Sequence, residues 1–169
     1  MQQDLSFTTA LVQQLVVPTF VLNAEGAVVV WNKACERLTG MPAEDVLGTH
    51  NHWRAFYAEQ RPCLADLLVE NRQAEINNLY PIHHASQEVA FGTHAENWCV
   101  MPLRGTELYL EIDAGPIHDA NGRVIAVIET LRDMTLRQSA ESRLRTLFES
   151  SPDPVWIIEG GHFVECNEA

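Results

Sequence analysis

The sequence predicts an α+β fold, in which a single five-stranded antiparallel sheet carries helices on one face. Three observations lead to this prediction. Two short apolar runs meet at a turn near the N-terminus, three further apolar runs follow one another after residue 97, and the segments around them carry helical spacing. Apolar runs joined by short turns are typical of antiparallel neighbours.

The N-terminal part of the chain predicts a helix followed by a hairpin. Residues 1–17 place apolar side chains at a loose helical spacing, and Pro18 ends that helix. Residues 19–22 and 28–31 are rich in β-prone side chains and flank the turn Asn-Ala-Glu-Gly. These two runs are predicted to pair as the first hairpin.

Short helices are predicted to follow the hairpin. The side chain of Asn32 is suited to cap a helix over residues 33–38, and Gly40 ends that helix. Pro42 then opens a second helix over residues 43–47.

The middle of the chain is less regular, and strand character returns after it. No secondary structure is predicted for residues 49–97, apart from an amphipathic helix within 62–72. Strands are expected over residues 97–103, 107–113 and 124–131, which would form a meander. A C-terminal helix over residues 135–149, capped by Asp133, completes the predicted fold.

Composition and charge exclude several classes of function. The chain of 169 residues has 11 Lys and Arg against 23 Asp and Glu, giving a formal net charge of −12. Nucleic acid would be repelled by this charge, so we expect no nucleic-acid partner. No stretch is apolar enough for a secretory signal or a membrane span, and the four cysteines show no close pairing. We therefore expect a cytoplasmic protein without membrane insertion.

Two motifs resemble those of the PAS domain, a sensory module of bacterial signal-transduction proteins. The opening VLNAEGAVVVWNKACERLTGMPAEDVLG places Asn32 where the family has a characteristic asparagine. The closing EIDAGPIHDANGRVIAVIETLRDMT ends in Asp133 and Thr135, which match the family's Asp-x-Thr. The resemblance implies a PAS domain over residues 18–135 and a linker helix over residues 136–150.

The end of the chain resembles the opening a second time. LFESSPDPVWIIEGGHFVECNEA repeats the pattern of proline, apolar run, turn, apolar run and asparagine, with Asn167 in the place of Asn32. Residues 151–169 are therefore interpreted as the truncated start of a second PAS domain.

The resemblance also implies a function. PAS domains bind small ligands between sheet and helices, and we expect that pocket to be lined by aromatic and polar side chains of the irregular region: Trp53, Phe56, Tyr57, Tyr80, His83, His84, Trp98 and Arg104. A ligand- or partner-induced change would pass through the C-terminal helix to a downstream output domain in the same chain. By resemblance, that domain is a diguanylate cyclase or a histidine kinase.

Catalytic and cofactor motifs give little support to other functions. The sequence has no Gly-x-Ser-x-Gly and no Gly-rich phosphate loop, so the fragment is not expected to be an enzyme. His83 or His84 could hold haem by resemblance, and His50 and His52 could join either of them around a metal. Because these spacings match no zinc signature, we assign no metal site and leave the cofactor unknown. A haem- or metal-holding sensor and a ligand-free structural dimerisation module stay open as alternatives.

Two leucine stripes predict a homodimer. Leu11 and Leu15 lie on the N-terminal helix, and Leu136, Leu144 and Leu147 lie on the C-terminal helix. A single helix cannot remove such a stripe from water by itself. We therefore expect the terminal helices of two subunits to pair and cover the leucines. Packing of both stripes on their own sheet is the alternative.

Overall fold

The structure is a computed structural model, which describes residues 10–87 and 92–167. It divides into two compact units, one ending at Asp133 and one starting at Met134. The first unit contains an antiparallel sheet of six strands: β1 (Thr19–Asn23), β2 (Val28–Trp31), β3 (Ile82–Ala85), β4 (Thr93–Cys99), β5 (Leu108–His118) and β6 (Val124–Asp133). Their order across the sheet is β2-β1-β6-β5-β4-β3.

The prediction of five strands is wrong, because the sheet has a sixth strand at its edge. Strand β3 pairs antiparallel with β4, and His84 lies opposite His94. Its sequence is Ile-His-His-Ala and most of it is exposed, so it shows no apolar alternation. The order that the sequence left open is set by β1, which pairs with β6 and brings the first hairpin beside the last strand.

Short helices connect the two halves of the sheet. The described part of α1 covers residues 10–14, and residues 1–9 of the predicted N-terminal helix lie outside the described residues. The helix ends before Leu15, so its prediction over residues 15–17 is wrong. Four further helices follow: α2 (Lys33–Thr39), α3 (Ala43–Val46), α4 (Leu64–Val69) and α5 (Ile76–Leu79). Two 3-10 turns, His52–Ala55 and Gln73–Glu75, lie between them. Helix α4 packs against β1, β5 and β6, so it covers the centre of the sheet.

Aromatic side chains fill the core beside the first hairpin. The Phe20 and Trp31 ring centroids lie 5.4 Å apart, and each of these rings lies 6.1 Å from that of Phe56. The Trp31 indole Nε1 donates a hydrogen bond to the Met41 carbonyl oxygen at 3.1 Å. The hairpin is therefore anchored to the segment after α2 by packing and by a buried hydrogen bond.

Asn32 joins the hairpin to α2. Its Oδ1 accepts hydrogen bonds from the backbone N–H groups of Cys35, at 2.9 Å, and Thr19, at 3.1 Å. Its Nδ2 donates to the Val17 carbonyl oxygen at 2.8 Å. Gly40, at a φ of 78°, ends α2 in the left-handed conformation that glycine adopts without strain.

The second unit consists of a helix and a hairpin. Helix α6 spans Thr135–Glu149, and strands β7 (Trp156–Glu159) and β8 (His162–Cys166) form a two-stranded sheet. The N-cap residue of α6 lies one position later than the predicted Asp133. Asp133 is the last residue of β6, and the residue at the N-cap is Met134, which makes no side-chain capping bond.

The second hairpin repeats the hydrogen bonding of the first. Asn167 Oδ1 accepts from the Val155 backbone N–H at 2.8 Å, as Asn32 accepts from Thr19. Asn167 Nδ2 donates to the Asp153 carbonyl oxygen at 3.1 Å, as Asn32 donates to Val17. The repeat seen in the sequence is therefore also a repeat in structure.

Candidate functional site

A carboxyl group lies in the interior between the sheet and α4. Val127, Glu129 and Leu131 occupy successive inward-facing positions of β6, and all three side chains are buried. Glu129 is 2% exposed, and its Oε2 accepts a hydrogen bond from the Ala65 backbone N–H at 2.7 Å. This bond ties β6 to the first turn of α4.

Burial changes the acidity of Glu129. Loss of hydration raises the pKa of its carboxyl from the ordinary 4.5 to about 8, and the negative field of Asp66 adds to this. The hydrogen bond from Ala65 opposes the shift without reversing it. At neutral pH the protonated carboxylic acid is therefore the main form.

Thiols and phenols surround this carboxyl, and burial keeps them protonated. We call Glu129, Cys63, Cys99, Tyr57 and Tyr80 the interior cluster. Loss of hydration raises the pKa of Cys63, Tyr57 and Tyr80 well above their usual values and that of Cys99 to about 12. The two phenol oxygens lie 3.3 Å apart, and the Cys99 thiol contacts the Tyr57 oxygen at 4.0 Å. The interior cluster is thus rich in neutral hydrogen-bonding groups.

Arg61 brings a positive charge to the edge of the interior cluster. Its guanidinium carbon lies 4.2 Å from the Tyr57 ring centroid and 5.2 Å from that of Tyr80, in cation–π contact with both. Its Nη2 donates to the Leu79 carbonyl oxygen at 3.0 Å. Its Nε is buried and has no hydrogen-bond partner among the described residues.

The structure brings some of the predicted pocket residues together and separates others. Phe56, Tyr57 and Tyr80 are buried in one core, and Trp53 packs against it. His83 lies beside this group, with its Nδ1 2.7 Å from the Tyr80 carbonyl oxygen. The assignment of a ligand to these residues stays a prediction.

The other three residues of the predicted pocket lie elsewhere. His84 stacks on His94 with ring centroids 4.4 Å apart. Trp98 is 47% exposed and packs on Tyr109 on the face of the sheet opposite the core. Arg104 is exposed and donates to the Arg37 carbonyl oxygen at 2.8 Å. Alternation in β4 puts Trp98 outward because Ala95 and Cys99 face inward.

Two groups of side chains among the described residues have the spacing of metal ligands. They are His52 with Cys63 and Asp66, and His94 with Glu111 and Asp113. The combination of His50 and His52 with His83 or His84, considered from the sequence, is not one of them.

Glu129, Cys63 and Arg61 were not among the site residues expected from the sequence. Glu129 does leave a signal in the sequence. It is a charged residue within the apolar run IAVIETL, at a position whose alternation with Val127 and Leu131 predicts an inward-facing side chain. The position of Arg61 over two tyrosine rings depends on long-range folding, and no local pattern indicates it.

Comparison with known proteins places this arrangement in one fold family. Residues 6–134 match a family model described as PAS fold, and residues 142–169 match a second one described as PAS domain. No curated protein matches the chain. Among the described residues, no helix is long and apolar enough to cross a membrane.

Solved structures share the fold at low sequence identity. The RNA-binding Light-Oxygen-Voltage Receptor is 22% identical with a TM-score of 0.60, over 84% of this chain and 36% of that chain. This chain thus spans about a third of that receptor. The PAS domain of BvgS from Bordetella pertussis is 19% identical with a TM-score of 0.51, over 87% and 99% of the two chains. A PAS domain from Colwellia psychrerythraea is 17% identical with a TM-score of 0.52, over 79% and 99%.

The family match covers most of the sequence, and the solved PAS domains of BvgS and of Colwellia psychrerythraea share its fold over 87% and 79% of the chain. The second match supports the start of a second such domain, at the hairpin that repeats the bonding of the first. The chain belongs to the PAS domain family.

Proposed function

We propose that this PAS domain is a cytoplasmic sensory and dimerisation module that detects a small molecule or a partner at its interior cluster. The change would pass along β6 and through α6 to a downstream output domain. The family resemblance implies a diguanylate cyclase or a histidine kinase as that domain.

The bond between Glu129 and Ala65 is the observation that carries the proposal. A buried carboxyl group is costly for folding, and such groups concentrate at functional sites. This one connects α4 with a strand that ends at Asp133, directly before α6 begins at Thr135. An event that changes the charge or the partner of Glu129 would therefore act on the strand that leads into the exit helix.

The chemistry of the interior cluster suggests the kind of ligand. Its groups are neutral at physiological pH, and Arg61 supplies a positive charge at one side. A small molecule with hydrogen-bond donors would compete with Ala65 for Glu129 and would favour the ionised carboxylate. Binding would then shift the population between two arrangements of β6 and α4.

Exposed leucines support the dimerisation part of the proposal. Leu136, Leu144 and Leu147 are 89%, 68% and 68% exposed, and α6 has no buried residue. Leu11 and Leu15 are about half exposed. Apolar stripes of this kind are stabilised when a second copy covers them.

Extraction of bound small molecules tests the proposal. The purified chain is denatured, and the released molecules are compared by mass spectrometry between wild type, Glu129→Gln and Tyr80→Phe. We expect one compound that is abundant in the wild type and depleted in both variants. The matched control is Glu111→Gln, which removes a carboxylate from the opposite face of the sheet and should retain the compound.

The same experiment separates the alternatives. A visible absorption band of the intact protein would indicate a coloured cofactor, with an intense Soret band as the haem signature, and would contradict a colourless ligand. Identical extracts from wild type and Glu129→Gln, or no compound in either, would favour the ligand-free dimerisation module and overturn the proposed sensing site.

A further inference from the structure

Three side chains of different chemistry meet at the start of α4. His52 comes from the 3-10 turn His52–Ala55, Cys63 is the N-cap residue of α4, and Asp66 lies in its first turn. One ligand atom of each, a ring nitrogen, a sulfur and a carboxylate oxygen, lies within 4.8 Å of the other two.

Hydrogen bonds hold this group in place. Asp66 Oδ2 accepts from the Cys63 backbone N–H at 2.8 Å, and the Cys63 sulfur accepts from the Asp66 backbone N–H in a reciprocal capping arrangement. His52 Nε2 lies 3.0 Å from Asp66 Oδ2 and donates to it in the tautomer that carries the proton there. Hydrogen bonds to the backbone at the start of α4 thus fix the side chains of Cys63 and Asp66, and Asp66 in turn holds His52.

The imidazole of His52 is poorly satisfied for a buried group. Its side chain is 1% exposed, and Nδ1 has no hydrogen-bond partner among the described residues. A ring nitrogen without a partner in the interior costs free energy, and such atoms call for an explanation. The bond to Asp66 and packing against the Phe20 ring, whose centroid lies 5.4 Å away, hold Nε2 toward Asp66. Nε2 is therefore the nitrogen placed to bind an added ligand, and Nδ1 can carry the ring proton.

We propose that His52, Cys63 and Asp66 form a binding site for a zinc ion. Nitrogen, thiolate sulfur and carboxylate oxygen are the donors that zinc takes in proteins, at about 2.0 to 2.3 Å. A tetrahedron with such bonds separates its ligand atoms by about 3.3 to 3.8 Å. His52 Nε2 and Asp66 Oδ2, at 3.0 Å, therefore need to separate slightly, and the other pairs of ligand atoms, at no more than 4.8 Å, need to close by about 1 Å or less to reach the upper value.

Charge and access also fit a divalent cation. A thiolate and a carboxylate balance the two positive charges of zinc, so the loaded site is neutral and suits a buried position. Asp66 also lines a cavity of about 190 Å³ together with Trp53 and Arg61, so one of the three ligands borders open space. Three protein ligands leave the fourth zinc position for water or another ligand.

The binding step requires the loss of one proton and the shift of another, with no redox change. The S–H bond of Cys63 breaks, its proton leaves to solvent, and the sulfur lone pair forms the zinc–sulfur bond. His52 gives up its hydrogen bond to Asp66 and changes tautomer, so that its proton lies on Nδ1 and the Nε2 lone pair of the neutral imidazole binds zinc. The loaded site would join the 3-10 turn to the first turn of α4, where Ala65 also contacts Glu129.

The second group, His94 with Glu111 and Asp113, is a weaker candidate. It contains no sulfur, and its carboxylates already have partners. Glu111 pairs with Arg132 at 3.2 Å, and Asp113 accepts a short hydrogen bond from the Ser86 hydroxyl. This group serves as the internal control.

Cobalt titration of the chelator-treated chain tests the zinc site, because a cobalt–thiolate bond gives a near-ultraviolet charge-transfer band. We expect the band in the wild type, in Cys99→Ser and in His94→Ala, and its absence in Cys63→Ser. Zinc should displace cobalt and raise the melting temperature of the wild type. Cys63→Ser and His52→Ala should weaken zinc binding by about 100-fold or more, whereas Cys99→Ser should leave it unchanged.

A measurement on the wild type alone guards against variants that fail to fold. X-ray absorption of the zinc-loaded chain should show one sulfur ligand and the remaining ligands as nitrogen or oxygen. A zinc shell without sulfur, a cobalt band that persists in Cys63→Ser, or loss of binding in His94→Ala alone would overturn the proposal.

Discussion

Glu129 shows how much of the chemistry of this domain depends on one position. Groups from several parts of the fold interact with its carboxyl electrostatically: Cys35 of α2, Cys63 and Asp66 of α4, Tyr80 after α5 and Cys99 of β4. None of these neighbours is a cation, so burial and the field of Asp66 both favour the protonated acid. The charge state of this one residue is therefore linked to the stability of the fold.

The pH dependence of stability should reveal this linkage. The unfolded carboxyl ionises near 4.5, whereas the folded one retains its proton up to about 8. The contribution of Glu129 to the free energy of unfolding is therefore fully present below 4.5, falls as the pH rises to 8, and is constant above. In the wild type, the free energy of unfolding should therefore decline by on the order of a few kcal/mol over this pH range. We expect this decline to be absent in Glu129→Gln, which keeps an oxygen for the Ala65 N–H but cannot ionise.

Denaturant melts of wild type and variant between pH 4.5 and 9 measure this difference in slope. The control is Glu111→Gln, which lies on the opposite face and should keep the wild-type slope. Parallel profiles for wild type and Glu129→Gln would show that the carboxyl ionises normally in the folded state.

Asn32 gives a second prediction at the residue scale. Its side chain makes three hydrogen bonds, two buried ones with Cys35 and Thr19 and a partly buried one with Val17, so it does more than cap α2. At about 1 kcal/mol for each bond, Asn32→Ala should cost about 3 kcal/mol in the free energy of unfolding. Asn32→Asp keeps both accepted bonds but loses the donor to Val17, so its cost should be intermediate. Equal losses in chemical denaturation of the two variants would contradict this account.

At the scale of elements, the sequence predicted those strands and helices whose signal is local. Helix α6 has the predicted bounds, and α2 ends at the expected glycine. Strand β4 begins at Thr93 rather than near residue 97, because its inward positions Thr93, Ala95 and Asn97 are small or polar and give no apolar alternation. Strand β3 carries two histidines and could not be recognised before its pairing with β4 was known.

The site was less predictable than the fold because it depends on contacts between distant parts of the chain, which leave no local signal. Phe56, Tyr57 and Tyr80 could be recognised as aromatic residues of the irregular region, and the structure places them in one core. Their relation to Glu129 arises from α4 crossing β6, a contact between residues 64 positions apart. Such a contact depends on strand order, which periodicity does not encode.

The exit helix provides a prediction for association of the whole chain. We expect the wild type to sediment as a dimer at micromolar concentration and Leu144→Glu with Leu147→Glu to sediment as a monomer. Because both leucines are exposed, the double variant should keep the melting temperature of the sheet unit. The charge-matched control is Gln138→Glu with Ser142→Glu, on the other side of α6, which should stay dimeric. A wild-type monomer would end the dimer hypothesis.

Coupling between the interior cluster and α6 is the central claim for the whole molecule. Hydrogen exchange followed by mass spectrometry tests it without knowledge of the ligand, by comparing wild type with Glu129→Gln at pH 8.5, where the wild-type carboxyl is largely ionised. Our account predicts faster exchange in the wild type at the start of α4, along β6 and in α6, with Glu111→Gln behaving as wild type. A difference confined to α4, with identical exchange in α6, would contradict transmission to the exit helix.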